Sequence, residues 1–511
     1  MSGRTVVLTG GTAGIGAALA QQLRKSGDRV VVIGRRASGD AVAVDLRNSD
    51  APAEVQSGLD RLGVSSWNVL IHNAAVGWVG AFPEQTAECI RDLLETNVWA
   101  PIALTRRLLP QASPHARIVF VSSPVAHWPS SDYSVYAASK AALEAFARAL
   151  RAERSFAGSV QVVRPSPTAT EMLDSDAAAR LGVDSSRFAT AKKTATSLMA
   201  AIGGKPRWRG TDFASSMAAP LRRWLGGRLS KRRPRIPWPL VLSNIDREST
   251  APKVLITGAA EGIGRALALR FGVEGWNVVG VDRNEERLLD ARRNASDNGD
   301  SLTPLTCDLA QRESMAALAD ELERLAPFDA VIHNAGINRF GRFPESDLDQ
   351  QRSVFDVNLV APILLTRELF ARRLLAPRCR FGFVSSLSHF VGYPGSAVYA
   401  ATKTGLASFA ESMGAAGREL GFTVTTIFPG PTRTRQAFEN SPDNSREHLR
   451  TDPHVLAKAI FRAMMARKPV LVYGAGARIA AEVGQRLPSV TESLMRRSLF
   501  GKPASRNSHP K

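Results

Sequence analysis

The chain alternates short apolar runs with longer stretches whose apolar residues recur every three or four positions. Val6-Val7-Leu8, Val30-Val31-Val32-Ile33, Val69-Leu70-Ile71 and Ile118-Val119-Phe120-Val121 are unbroken runs, and Val160, Val162 and Val163 nearly complete a fifth. Such runs suit strands buried on both faces, and their alternation with helical stretches predicts βαβ units. The predicted fold class is therefore α/β, with parallel, doubly wound sheets.

The pattern occurs twice. Thr9-Gly10-Gly11-Thr12-Ala13-Gly14-Ile15-Gly16 returns 248 residues later as Thr257-Gly258-Ala259-Ala260-Glu261-Gly262-Ile263-Gly264. Asn73 and Asn97 return as Asn334 and Asn358 at an offset of 261, Ser123 and Tyr136 as Ser386 and Tyr399 at 263, and Pro165 as Pro429 at 264. Order is kept and the offset drifts little after one jump of 13, so two homologous domains follow one another. The jump falls between the second and third strands. There the second half has the charged, helical stretch Asn284–Asn294, and the first half passes from Arg36 to Val42 with room for a turn only. The first domain is expected to lack that crossover helix and to leave one end of its ligand site more open.

A length of 511 residues fits two large domains. We expect domain 1 over 1–235, a Pro/Arg-rich linker over 236–251, domain 2 over 252–500 and a disordered tail over 501–511. Pro234, Pro237 and Pro239 cannot continue a helix. No apolar run approaches the roughly 18–20 residues of a spanning helix. The first strand starts at Thr5, which leaves no room for a signal peptide, so a cytoplasmic location is expected. Cys89, Cys307 and Cys379 are scattered, without metal-ligand spacing, and no metal is expected.

Each glycine-rich loop follows an apolar strand and opens a helix. Glycine at 10, 14 and 16, and at 258, 262 and 264, permits a tight turn and brings backbone close to a pyrophosphate at a helix N-terminus. Thr12, Ile15, Glu261 and Ile263 lie in the same loops. Aligned from Gly27 and Gly275, Gly34 faces Asp282. A carboxylate there accepts from ribose hydroxyls and repels a 2′-phosphate, so the second domain is expected to use NAD(H). The first domain has Arg35 and Arg36 instead. Their guanidinium groups match a phosphate, so it is expected to use NADP(H).

Tyr136-Ala137-Ala138-Ser139-Lys140 and Tyr399-Ala400-Ala401-Thr402-Lys403 each project tyrosine and lysine from one helix face. A tyrosine that trades protons near neutrality needs its phenol pKa lowered, and an ammonium one turn away supplies that field. With the TGxxxGxG loops, these motifs resemble the short-chain dehydrogenase/reductase family, over about 5–170 and 253–435. The resemblance implies two Rossmann-type domains. Ser123 and Ser386 would then hydrogen-bond the substrate oxygen, and Asn97 and Asn358 would hold a water for proton relay. It also implies that Asp45-Leu46 and Asp308-Leu309 reach the adenine, and that Asn73 and Asn334 lie in the turn after the fourth strand. Pro165 with Thr170, and Pro429-Gly430 with Thr434, would hold the nicotinamide end. Two departures single out the first domain: Ala75 replaces the glycine of the Asn-Ala-Gly turn, and Ser166 replaces that of the PGxxxT loop.

The implied activity is interconversion of carbonyls and secondary alcohols by hydride transfer, one reaction per domain, an arrangement that allows coupled oxidation and reduction of one apolar or lipid-like small molecule. An alternative is a single active domain, the second, with the first as a structural or cofactor-sensing partner. His127, Trp128 and Tyr133, and His389, Phe390 and Tyr393, are candidate substrate walls. The net charge of +19 leaves open an anionic membrane contact through Leu221–Arg235 and Leu494–Phe500, beside a plain arginine-rich surface. No binding module accompanies the charge, so nucleic acid is not expected. By resemblance, the helices bearing the asparagine and the YxxxK could pair the two halves as an intramolecular pseudo-dimer.

Overall fold

The computed structural model describes residues 3–36, 40–128, 130–154, 156–170, 188–203, 251–297, 299, 301–441, 444–445 and 447–500. The basic stretch Leu221–Arg235, residues 236–250 of the expected linker and the expected tail 501–511 lie outside the described residues.

The apolar runs become two parallel sheets. The first holds β1 (Thr5–Thr9), β2 (Arg29–Gly34), β3 (Ala41–Ala43), β4 (Trp67–His72), β5 (Ala112–Val121) and β6 (Ser159–Val163), in the order β3-β2-β1-β4-β5-β6. A separate short pair joins β7 (Thr168–Ala169) to β8 (Ala189–Thr190). The second sheet holds β9 (Lys253–Thr257), β10 (Asn277–Asp282), β11 (Leu302–Thr306), β12 (Phe328–His333), β13 (Leu375–Val384), β14 (Thr423–Phe428) and β15 (Val470–Val472). Its order is β11-β10-β9-β12-β13-β14-β15. Both sheets reverse direction of winding beside β1 and β9, where a crevice opens at the carboxyl ends of the strands.

Among the described residues, the crossover helix is present only in the second domain. Helix Glu285–Asp297 buries Leu288, Ala291 and Ala295 between β10 and β11. In the first domain, β2 and β3 pair in parallel across a connection of six residues, 35–40. Parallel neighbours ordinarily need a dozen or more. Here β3 is only three residues long, so the return path is short.

The two domains share one hydrophobic core. Helix Ser134–Glu153 of the first packs along helix Ala397–Leu420 of the second. Their approach is close because the contact residues are small. A methyl at Gly405 would stand 3.1 Å from Ala142 Cβ and 3.2 Å from the Ala138 carbonyl oxygen. Aromatic pairs flank this contact on either side: Phe82 with Phe409 at 5.0 Å between ring centroids, and Phe146 with Phe343 at 4.9 Å. Arg352 pairs with Glu95 across the same boundary, at 2.5 and 2.8 Å.

Phe343→Ala removes a ring that is 2% exposed. It is expected to destabilise the intact chain by about 3–5 kcal/mol in urea unfolding. A loss below about 1 kcal/mol would mean that this aromatic contact is not part of a consolidated core.

Candidate functional site

The crevice begins at the glycine loops. Gly10 and Gly14 have φ of +67° and +53°, and Gly258 and Gly262 +69° and +58°. A methyl at Gly16 would fall 2.0 Å from the Gly10 carbonyl oxygen, and one at Gly264 1.8 Å from that of Gly258. Only glycine allows helices Gly14–Lys25 and Gly262–Val273 to start so close to the preceding strand, with free N–H groups facing the crevice. Asn73 and Asn334 brace these loops. Their amides donate to the carbonyls of Thr9 and Gly10 (3.1 and 3.0 Å) and of Thr257 and Gly258 (3.0 and 3.1 Å). Thr170 and Thr434 close the other side, with their Cγ2 atoms 3.3 and 3.2 Å from where methyls at Gly14 and Gly262 would stand. Ile15 and Ile263 pack into their own domains' cores, anchoring the first turn of each helix. This cradle, too narrow for a Cβ and lined by backbone donors, fits a dinucleotide pyrophosphate.

Strand pairing confirms the register at the ribose end. The N–H groups of Gly10 and Gly258 bond the carbonyls of Ile33 and Val281, so Gly34 and Asp282 occupy equivalent positions. The Asp282 carboxylate accepts from the N–H groups of Ala260 and Asn284, each at 3.1 Å. Arg35 and Arg36 are exposed, and Gly34 faces the Thr12 side chain. Glu261 pairs with Arg287 of the crossover helix. Asp45 and Asp308 also align, since Val44 bonds Gly34 as Cys307 bonds Asp282. Arg47 holds Asp45 at 2.7 Å and brings its carboxyl below the usual range, while Asp308 turns to the Ala310 N–H at 3.0 Å. Leu46 is buried and Leu309 half-buried against the shared core.

The four polar residues of each domain converge at the crevice floor. Asn97 and Asn358 sit in π-helical turns, Glu95–Trp99 and Asp356–Val360, inserted between α-helices. Such turns re-aim a side chain inside a helix. Asn97 donates to the Val76 carbonyl (2.9 Å) and to Ser139 Oγ (3.1 Å), and accepts from the Val76 N–H (2.9 Å). Asn358 does the same with Ile337 and Thr402. Lys140 Nζ donates to the Val121 carbonyl at 3.1 Å and lies 5.7 Å from the Tyr136 ring centroid. Lys403 Nζ donates to that of Val384 at 3.0 Å and lies 6.0 Å from the Tyr399 ring.

Burial pushes both phenols up to about 12, against a smaller opposing effect of hydrogen bonds from Ser123 and Ser386. Burial also pulls both ammonium groups down to about 8. The net result leaves both phenols protonated at neutral pH, above the lowered value that proton exchange near neutrality was expected to need.

Neither departure in the first domain disturbs the geometry. A methyl at Gly336 would lie 2.8 Å from Lys403 Nζ. Ala75 carries that methyl at the aligned position, yet Lys140 and Lys403 make the same bond to within 0.1 Å. Likewise Thr168 Oγ1 donates to the Ser166 carbonyl at 2.7 Å, as Thr432 Oγ1 donates to that of Gly430 at 2.9 Å. The loops after Pro165 and Pro429 therefore turn alike. His72 and His333, the last residues of β4 and β12, bond Thr105 and Thr366 at 2.9 Å. Burial holds both imidazoles near 3, so they are neutral core residues.

The expected substrate walls divide. Tyr133 stands 6.5 Å from Tyr136, ring to ring, and Tyr393 influences the ionisation of Tyr399. Trp128 is 60% exposed, and Phe390 packs on Phe428 in an apolar cluster behind the site. His127 points the same way and bonds Glu144 at 2.9 Å. Glu144, absent from the sequence-based set, also accepts from Ser122 Oγ (2.6 Å) and from Arg164 (2.5 and 2.7 Å). Burial would raise this carboxyl, but His127 and Arg164 hold it well below the usual range. The aligned residues of the second domain are Ala407, Phe390 and Phe428. That contrast between repeats, with Glu144 one turn beyond Lys140, was the available signal. Among the described residues no cluster could hold a metal ion, and no helix is long and apolar enough to cross a membrane.

Two dinucleotide cradles, each above an Asn-Ser-Tyr-Lys set whose asparagine and lysine are buried and whose serine and tyrosine are half-buried, define a nicotinamide-dependent oxidoreductase acting on hydroxyl and carbonyl groups. The short chain dehydrogenase family model matches residues 4–180 and 252–445, and the chain belongs to that family. It is 35% identical over 184 residues to the 1-deoxy-11-beta-hydroxypentalenate dehydrogenase of Streptomyces exfoliatus, which covers 35% of this chain and 67% of the relative. It is 32% identical over 196 residues to a 3beta-hydroxysteroid dehydrogenase of Mediterraneibacter gnavus, which covers 37% and 69%. A solved short-chain dehydrogenase from Streptomyces avermitilis is 25% identical, with a TM-score of 0.41 over 49% of this chain and 97% of its own.

Because Lys140 and Lys403 titrate near 8, their ammonium form is complete below that pH and lost as pH rises through it. Affinity for NADH and NADPH is expected to fall above about pH 8, and Lys140→Met with Lys403→Met to flatten the profile. Fluorescence titration across pH 6–10 checks this; an unchanged profile in the double variant would remove the lysines from cofactor binding.

Proposed function

We propose that the chain is a bifunctional oxidoreductase, with one hydride-transfer site per domain, NADP(H) in the first and NAD(H) in the second. The observation that carries this reading is the equivalence of the two constellations, down to the lysine–carbonyl bond and the π-turn asparagine. The bound nicotinamide supplies or takes the hydride. Tyr136 and Tyr399, protonated at neutral pH, give the proton to a carbonyl oxygen. Ser123 and Ser386, within hydrogen-bond reach of those phenols, steady the same oxygen. Lys140 and Lys403 stabilise the phenolate left behind and hold a ribose hydroxyl, and Asn97 and Asn358 tie the adjoining loop to the tyrosine helix.

The cofactor split rests on Asp282 against Gly34, Arg35 and Arg36. The carboxylate disfavours a 2′-phosphate, and the exposed guanidinium groups favour it. The opposite preferences suit oxidation in one site and reduction in the other, on one apolar or lipid-like substrate. The relatives that act, by name, on a hydroxypentalenate and a hydroxysteroid support that class. The reading also includes two domains at 1–235 and 252–500 that dock as an intramolecular pseudo-dimer. An anionic membrane contact is its outermost part, and it rests on composition at Leu221–Arg235 and Leu494–Phe500. Cosedimentation with phosphatidylglycerol vesicles at low salt should retain the intact chain; a chain left wholly in the supernatant removes the membrane from the reading.

Calorimetry of the intact chain should show two cofactor sites. Gly14→Asp should abolish the NADPH site and Gly262→Asp the NADH site, since each places a carboxylate where the pyrophosphate belongs. A single site, lost only with Gly262→Asp, would leave one working domain.

A further inference from the structure

Helix Ser134–Glu153 does more than carry Tyr136 and Lys140. Its last turn enters the second domain's territory. Glu153 is 5% exposed, and its two carboxylate oxygens accept from backbone N–H groups of that domain. Oε2 takes that of Phe343 at 2.9 Å, and Oε1 takes that of Gly395 at 2.9 Å. Five residues earlier, Arg148 Nη2 donates to the His389 carbonyl at 3.0 Å.

The three receiving residues lie in the two loops beside Tyr399. His389 follows Ser386 by three residues, and Gly395 precedes Tyr399 by four and follows Tyr393 by two. Gly395 is left-handed, with φ of +82°, and its carbonyl accepts from the Gly341 N–H at 2.8 Å, which joins the loops to each other. The first domain therefore grips the strap between Ser386 and Tyr399 at both ends, and the loop after β12 at Phe343. A buried carboxylate with two N–H donors makes strong, charge-assisted bonds, and its removal would orphan two buried donors.

The gripping residues are not repeated at the aligned positions of the second domain. The positions aligned with Arg148 and Glu153 are Glu411 and Ala416. A methyl at 416 cannot accept a hydrogen bond, so position 416 does not return the contact that Glu153 makes.

We propose that Glu153, with Arg148, is a positioning residue for the second domain's site. Across the domain boundary it fixes the loops flanking Tyr399, so that site is complete only with the first domain docked. This rests on the reading of the Tyr399 crevice as a reaction site, and the test separates the two.

Hydrogen exchange followed by mass spectrometry is measured on the intact chain and on Glu153→Ala, Glu153→Gln and Arg148→Met variants. Glu153→Ala should speed exchange in peptides covering 340–346 and 387–397 by about ten-fold or more, with 124–133 of the first domain unchanged. Glu153→Gln, which keeps the shape and one acceptor oxygen, should lie between. Arg148→Met should loosen 387–397 alone. With trans-1-decalone as the ketone probe and NADH, Glu153→Ala should raise KM several-fold while kcat stays within about two-fold. Exchange unaltered in Glu153→Ala overturns the proposal. So does faster exchange in Glu153→Gln that extends equally to 124–133, since that is a general loosening. A Tyr399→Phe variant that reduces the ketone as fast as the intact chain would refute the reaction-site reading and leave the exchange result standing.

Discussion

The close packing of helix Ser134–Glu153 on helix Ala397–Leu420 constrains everything around it. Each helix turns one side to its own sheet, where tyrosine and lysine meet the strand ends, and another side to its counterpart. The shared side must be nearly flat, and the contact residues Ala138, Ala142 and Gly405 are small accordingly. Bulk is displaced to the flanks, where Phe82, Phe146, Phe343 and Phe409 fill the space beside the crossing. A larger residue at the crossing would separate the helices. It would also move both lysines relative to the strand carbonyls they bond, so domain docking and site geometry are one packing problem.

Behind the two tyrosine helices the same mechanical need is met by opposite chemistry. The first domain ties Ser122, His127 and Arg164 together through the buried Glu144. The second fills the matching space with Phe390, Phe428 and Ala407. A buried ionic network tolerates little change, because loss of one member strands the rest at a cost of about 3–5 kcal/mol. An apolar cluster degrades gradually. The two sites keep equal geometry over very different foundations, and they are expected to differ in tolerance of substitution there.

Much of this was legible in the chain itself. The βαβ alternation, glycine loops and the Asn-Ser-Tyr-Lys spacing are local or periodic features, and the repeat made each reading twice. The missing crossover helix was visible as the jump in offset. Ala75 and Ser166 pointed to a weakened first site, but the bonds around them match those of the second. Two things were out of reach. Ionisation depends on how much water the fold removes, so a motif that implies an acidic phenol stands here with one pushed up to about 12. Contacts such as Glu153 to Phe343 and Gly395 span 190 and 242 residues. No periodicity encodes a partner so distant, and the one hint was a carboxylate in one repeat opposite alanine in the other.

That mismatch has a consequence for how such a chain diverges. In a dimer of identical subunits every contact across the twofold axis occurs twice, so a residue that serves its neighbour is served by its own copy in return. A substitution there is tried on both sides at once, and one that helps one site while harming the other cannot be kept. Joining two copies in a single chain removes that condition. Position 153 can acquire a carboxylate while position 416 keeps a methyl. The halves are then free to specialise as giver and receiver, and neither can be exchanged for a second copy of the other.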